Sequence, residues 1–257
     1  MKVKWSTICF DLDNTLYNHE YAFKRAIKQC YYTKLQQWKI SVDQAPPFEA
    51  WFTTFKYYCD HFWSDLEHKR MSGLDYRRAR YAEAMREHHL PVKMEEADEF
   101  HNEYYEIVHQ FAKPDPMMRP LLKWLSDIGV KVGILTNGPS ITQRNKIEAL
   151  GLNQFVEEQH LLISSETGLE KPDPRFFHLM EQTFQMGRQS LLNTDTFLFI
   201  GDSWEQDVEG AVAAGWDAVY LNQREIEPSS HVMNVVTNVH SLSDLYVWLQ
   251  TYGRGGR

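Results

Sequence analysis

The stretch Trp5-Ser6-Thr7-Ile8-Cys9-Phe10-Asp11-Leu12-Asp13-Asn14-Thr15-Leu16-Tyr17 constrains the chain most, because an apolar, β-prone run stops abruptly at two carboxylates. Ile8, Cys9 and Phe10 read as a buried strand: β-branched and aromatic side chains suit a pleated, covered surface, and no helical stripe of polar residues intervenes. In an open parallel sheet, ligands bind outside the carboxyl ends of the strands, so Asp11 and Asp13 project from the place where chemistry is usually done. Asp and Asn after a strand also suit a turn, and this stretch by itself leaves both readings open.

The chain of 257 residues is 43% hydrophobic, which allows one large core or two domains. Its formal net charge of -8 argues against a nucleic-acid polymer or a membrane surface as partner, since both need a concentrated positive field. Cys9, Cys30 and Cys59 are odd in number and lack metal-ligand spacing, so neither a disulfide framework nor a zinc site is expected. A reducing, cytoplasmic setting follows. The apolar run after Lys2 and Lys4 is broken by Asp11 before it reaches the length of a signal peptide's hydrophobic region, and no run approaches a membrane span. The tail from Gly253 to Arg257 is expected to fray.

After Tyr17 the period changes, and from His19 to about Gln110 the pattern is helical. Tyr21, Ile27, Tyr31, Leu35 and Trp38 share one helical face, as do Trp51, Phe55, Tyr58, Phe62 and Leu66, with Pro46 and Pro47 between the two helices. Met71-Ser72-Gly73 breaks the next connection, and helices over Tyr76 to His88 and Glu95 to Phe111 complete a four-helix bundle. The aromatic stripes fit either a core or a substrate pocket. Lys113-Pro114-Asp115-Pro116 then marks a boundary.

Beyond it, helices alternate with apolar strands: Val130 to Leu135, a weaker strand around Leu161 to Ser164, Phe197 to Ile200, and Ala218 to Leu221. Helices are expected over Leu121 to Ile128, from Pro139 to Leu150, from about Arg175 to Gln185, through Val208 to Ala214, and after Ser241. This alternation indicates an α/β protein with a doubly wound parallel sheet. The helical bundle is then a cap domain of residues 18–113, inserted into a catalytic core of residues 1–17 and 114–257, over the carboxyl ends of the strands where a lid belongs.

Three apolar strands end in polar residues: Asp11 and Asp13, then Thr136 and Asn137, then Asp202 with Ser203 and Asp207 beyond it. The loop holding Lys171 lies between the second and third, so one fold rule brings all of them to a single edge. Converging carboxylates repel one another unless a cation sits among them, and hard oxygen ligands suit Mg²⁺. A lysine and a threonine hydroxyl beside them suit a phosphoryl group.

Taken in order, Asp11-Leu12-Asp13-Asn14-Thr15-Leu16, Leu135-Thr136-Asn137-Gly138, Lys171-Pro172-Asp173-Pro174 and Gly201-Asp202-Ser203-Trp204-Glu205-Gln206-Asp207 resemble the haloacid dehalogenase-like hydrolases, specifically phosphatases with a helical cap. The resemblance covers nearly the whole chain. It implies that Asp11 is the nucleophile that forms an aspartyl-phosphate and that Asp13 is the general acid and base. It also implies Mg²⁺ held by Asp11, the backbone carbonyl of Asp13, Asp202 and, through water, Asp207. Thr136 and the amide of Asn137 grip phosphate oxygens, while Lys171 offsets charge on Asp11 and the transferring group. Asn14 stands where the family more often has glycine or aspartate.

The implied partner is a small phosphorylated metabolite, with nucleoside 5'-monophosphates and sugar phosphates both open. The basic turn Lys69-Arg70-Met71-Ser72-Gly73 and nearby Arg77 and Arg78 are candidates to touch the leaving group, or are solvated surface charge. Alternatives are a catalytically silent protein that keeps the fold, a phosphomutase, or a 2-haloacid dehalogenase, although that last branch lacks the second aspartate.

Overall fold

The computed structural model describes residues 3–185, 195–228, 230 and 233–253, so the tail after Gly253 lies outside the described residues. The chain divides into two compact units, one of Met1–His19 with Ala112–Arg257 and one of Glu20–Phe111. No helix among the described residues is long and apolar enough to cross a membrane.

The first unit is organised on a six-stranded parallel sheet: β1 Thr7–Phe10, β2 Lys131–Thr136, β3 Leu161–Ile163, β4 Phe197–Gly201, β5 Asp217–Leu221 and β6 Val235–Val239. Their order is β3-β2-β1-β4-β5-β6. The chain therefore winds outward from β1 through β2 and β3, returns to β4, and continues to the other edge. The winding reverses between β1 and β4, and such a reversal opens a crevice at the carboxyl ends of the strands. Phe10, the last residue of β1, pairs with Ile134 on one side and Ile200 on the other, which aligns three strand ends. Both central strands are buried along their whole length, as continuous apolar runs in a sheet covered on both faces must be.

The sequence reading lacked β6. Its residues are mostly half-exposed, and Thr237 and Asn238 interrupt the apolar run, so an edge strand of this kind carries little pattern of its own.

The second unit contains α1 His19–Gln37 for all but its first residue, α2 Phe48–Glu67, α3 Gly73–Glu87 and α4 Met94–Ile107. Tyr31, Trp51 and Phe55 of its expected aromatic stripes meet inside it, whereas Tyr21 is exposed. Trp51 stacks on Tyr31 at 4.7 Å and on Phe55 at 5.0 Å, and both Trp51 and Phe55 meet Phe100 edge-on. Tyr31, Trp51, Phe55 and Phe100 are almost completely buried, so these rings form a core. Truncating one to alanine costs about 3–5 kcal/mol. Ser72 caps α3 by accepting from the Asp75 amide at 3.1 Å while donating to the Asp75 carboxylate at 2.6 Å. Two cationic side chains are buried here, Lys34, which pairs with Glu99 at 2.8 Å, and Arg80. Arg80 lies over the rings of Tyr76 and Phe55 and bonds His101 Nε2 at 2.5 Å. Burial, then the Arg80 charge and that of Arg77, hold His101 well below the usual imidazole range.

The remaining helices belong to the first unit: α5 Met118–Asp127, α6 Ser140–Leu150, α7 Ser164–Thr167, α8 Pro174–Gln185, α9 Gly210–Ala213 and α10 Leu242–Thr251. Phe176, Phe177, Met180 and Phe184 of α8 pack in one cluster with Cys9, Leu135, Phe197, Phe199, Ala218 and Tyr220 from the sheet. Ala211 and Trp216 join it. Gly133 makes this closeness possible, since a Cβ there would lie 2.8 Å from Cys9 Sγ. The expected helix through Val208 to Ala214 is in fact two pieces: a π-helical turn over Trp204–Glu209 and then the short α9. The wide turn lets the Asp207 carboxylate fold back onto the strand end that precedes it.

Candidate active site

Asp11 follows β1 directly, and its amide donates to the Ile200 carbonyl at 2.9 Å, so the backbone is still held to β4 where the carboxylate emerges. Asp13 and Asn14 then turn the chain. Asn14 has a φ of 59°, a left-handed conformation that Asn, Asp and Gly accept more readily than other residues. That is a physical reason for this residue at a position where glycine or aspartate also serves.

Lys171 is the hub. Its side chain is almost completely buried, and its ammonium donates to Asp11 Oδ1 and to Asp207 Oδ1, both at 2.6 Å. Asn137 fixes the loop that carries it: Nδ2 donates to the Lys171 carbonyl at 3.0 Å, and Oδ1 accepts from the Lys171 amide at 2.9 Å. The same Nδ2 reaches Gln206 Oε1 at 3.2 Å, tying the β2 end to the π-helical turn. Asp207 is completed by the Ser203 amide, which donates to Oδ2 at 2.9 Å. This carboxylate lies where a side chain at position 201 would be, for a Cβ on Gly201 would sit 2.2 Å from Asp207 Oδ2.

Asp11, Asp202 and Asp207 each offer a carboxylate oxygen within 4.8 Å of the other two. Burial pushes Asp11 up to about 7; Lys171 opposes this, while Asp207 and Asp13 add to it. Burial, Asp11 and Asp207 push Asp202 up to about 8, against Arg224 and Lys171. Arg224, just past β5, donates to Asp202 Oδ2 at 2.9 Å. Carboxyls displaced upward by one another and by burial are short of positive charge, and three hard oxygen donors this close fit a divalent cation such as Mg²⁺.

Asp13 has a different environment. Lys146 Nζ lies 2.9 Å from Oδ1 and 2.8 Å from Oδ2, Gln143 Nε2 donates to Oδ2 at 3.1 Å, and the Tyr17 hydroxyl donates to Oδ1. His19 Nδ1 stands 3.4 Å from Oδ1. Burial would raise this carboxyl, but Lys146 first and His19 next, with the hydrogen bonds from Lys146 and Tyr17, hold it well below the usual carboxylate range. Lys146, not among the residues expected at the site, is the cation beside Asp13.

The structure thus gathers Asp11, Asp13, Thr136, Asn137, Lys171, Asp202 and Asp207 at the carboxyl edge of one sheet. Lys69, Arg70 and Arg77 lie on the helical unit. Arg70 is taken up by Asp65 at 2.7 Å, Arg78 makes two bonds to Asp98, and Arg77 bonds the Tyr105 hydroxyl at 3.3 Å. Five side chains beside these residues are not among those expected from the sequence: Tyr17, His19, Gln143, Lys146 and Arg224. Gln143 and Lys146 carry a signal, being three residues apart and so on one face of a helix that starts at a strand end. Arg224 carries none.

A family model described as haloacid dehalogenase-like hydrolase matches residues 5–215. The chain is 28% identical over 248 residues to the pyrimidine 5'-nucleotidase YjjG of Escherichia coli, covering 95% of this chain and 98% of that protein. It is 30% identical over 128 residues to a glyceraldehyde 3-phosphate phosphatase of Methanopyrus kandleri, a match that spans only about half of either protein, 49% of this chain and 52% of that one. The crystal structure of the HAD-hydrolase YfnB from Bacillus subtilis bound to magnesium superposes with a TM-score of 0.76 at 21% identity, over 95% of this chain and 98% of that one. This last likeness speaks to the fold.

Proposed function

The chain belongs to the haloacid dehalogenase-like hydrolases, and from that premise we propose that it is a Mg²⁺-dependent phosphatase that hydrolyses a small phosphomonoester through an aspartyl-phosphate on Asp11. The observation that carries this reading is the division of labour between two neighbouring carboxylates. Asp11 shares a cluster of acidic groups with one buried ammonium, while Asp13, two residues on, is held separately by Lys146 and Gln143.

Asp11, Asp202 and Asp207 would hold the metal, with the Asp13 carbonyl as the expected backbone ligand. When bound, Mg²⁺ offsets the charge of the phosphate and of the carboxylates around it. Lys171 keeps Asp11 pointed out of the strand end and adds a second positive charge beside the transferring group. Thr136 Oγ1 and the Asn137 amide supply the phosphate grip. Asp13 acts on both halves of the reaction. The ionised form, which Lys146 and His19 favour, is the one that takes a proton from water in the second half, and the protonated form needed in the first is favoured by an arriving phosphate dianion.

The substrate class rests on the relatives. Pyrimidine nucleotides and a triose phosphate are named for two of them, and both are small phosphomonoesters. Lys69, Arg70 and Arg77 belong to this reading as contacts to the leaving group. Arg77 is the strongest of the three, because no carboxylate among the described residues takes up its charge within 4 Å. The division into residues 1–17 with 114–257 and an inserted 18–113 belongs to it too, supported by the two compact units.

Asp11→Asn tests the proposal. It is expected to abolish turnover of phosphomonoesters while the circular dichroism spectrum and melting temperature stay near wild type. Wild-type turnover in that variant would rule out Asp11 as nucleophile. A panel of phosphorylated metabolites assayed with Mg²⁺ then separates nucleotides from sugar phosphates, and the absence of turnover on every ester would favour a silent protein.

A further inference from the structure

Gln143 is the fourth residue of α6 and is buried. Its Nε2 is within hydrogen-bond reach of three acceptors: Asp13 Oδ2 at 3.1 Å, Thr136 Oγ1 at 2.6 Å and the Asn137 carbonyl at 3.0 Å. One amide group therefore spans the general acid and base on one side and the phosphate grip on the other. Its place depends on Gly138, where a Cβ would come within 3.2 Å of Gln143 Cγ and Cδ. The arrangement is not one that stability alone selects. Gln143 Oε1 is buried with no donor among the described residues, and a buried acceptor left unpaired is a cost. Turning the amide over would let the Thr136 hydroxyl donate to the oxygen, but would set that oxygen against the Asp13 carboxylate and the Asn137 carbonyl.

We propose that Gln143 is a positioning residue that holds Asp13 in line for proton transfer and couples it to Thr136, so that proton donor and phosphate are set at one fixed spacing. This rests on the phosphatase reading. In the first half-reaction an Asp11 oxygen bonds to phosphorus as the ester P–O bond breaks, and the electron pair that leaves with the alcohol oxygen takes the proton of the Asp13 carboxyl. In the second half, water oxygen bonds to phosphorus, its proton passes to the Asp13 carboxylate, and the Asp11–phosphorus bond breaks. Both carboxyls return to their starting forms. Gln143 touches none of the reacting atoms; it fixes the angle from which Asp13 meets them.

The test is the dependence of kcat/KM on the leaving group, because kcat/KM stops at the departure of the alcohol. Asp13 matters there only when the leaving oxygen needs a proton. Gln143→Met keeps the side-chain length and removes the donors. It is expected to lower kcat/KM about tenfold to a hundredfold for an alkyl phosphate, the scale of a small misplacement, and to change p-nitrophenyl phosphate far less. In an Asp13→Asn background, Gln143→Met is expected to add almost nothing for the alkyl ester, since its effect passes through Asp13. A second variant, Gln143→Glu, keeps the shape but presents an acceptor, and is expected to show the same steepened dependence. Equal losses on every ester, or full additivity with Asp13→Asn, would overturn the inference and leave Gln143 a packing residue. Turnover surviving Asp11→Asn would instead overturn the phosphatase reading beneath it.

Discussion

Replacing Lys171 by methionine removes the one ammonium that bonds both Asp11 and Asp207, each at 2.6 Å, in a place almost closed to solvent. The lost positive charge has to be replaced by a proton beyond those that Asp11 and Asp202, already displaced upward, take up in wild type. An unfolded aspartate titrates at about 3.9, so holding one extra proton on a buried carboxyl at pH 7 costs about three pH units of about 1.4 kcal/mol each, roughly 4 kcal/mol. Breaking a buried ion pair costs about 3–5 kcal/mol, which agrees. The pH dependence has a definite sign. Between about pH 4 and 7 the folded variant binds one proton more than folded wild type, so its stability relative to wild type rises as pH falls. The deficit should therefore shrink from about 4 kcal/mol at pH 7 to roughly 1.5 kcal/mol at pH 5. Urea unfolding of both proteins in EDTA at the two pH values measures it directly. A deficit that stays constant between them, or that is below about 1 kcal/mol at pH 7, would refute the charge accounting at Lys171.

Three further outcomes are expected. Gly201→Ala drives a methyl group to 2.2 Å from Asp207 Oδ2, so turnover should be lost together with at least about 1–3 kcal/mol of stability in urea unfolding. His101 is buried with its titration held below the ordinary imidazole range, so it contributes stability that is present above about pH 6.5 and lost as pH falls, at no more than about 1.4 kcal/mol per pH unit. His101→Asn should remove that part of the slope; an unchanged pH–stability curve would contradict it. Mg²⁺ at about 100 times its dissociation constant should stabilise the protein by about 2.7 kcal/mol, and Asp202→Asn should abolish most of that gain in a thermal melt.

The parts of this fold legible in the sequence are those whose environment is uniform. β1 and β4 are covered on both faces, so Ile8 to Phe10 and Phe197 to Ile200 read as unbroken apolar runs, and the abrupt polarity at Asp11 and Asp202 marks their ends. β6 is an edge with solvent on it, and the same rule has nothing to grip there. At the site, Asp11 and Asp202 stand out by their place at strand ends, and Lys171 by its place in the ordered set of motifs between them. Gln143 and Lys146 carry only their spacing of three as a sign, because a polar residue on a helix is normally solvated, and the three-dimensional approach of α6 to Asp13 is what turns these two inward. Arg224 belongs to an irregular segment after β5, where spacing carries no information on direction. The division of Trp204 to Ala213 into a π-helical turn and a short helix was equally silent, since it depends on where Asp207 must reach rather than on propensity.

The bond from Lys171 to Asp11 joins residues 160 positions apart, and that from Gln143 to Asp13 spans 130. Neither can form until distant parts of the chain have met, a late and slow event for parallel strands whose closure entropy must be overcome before the contacts reward it. During refolding, helical signal should therefore return well ahead of enzymatic competence, and an assay for turnover doubles as a stringent probe of whether a preparation has reached its native topology.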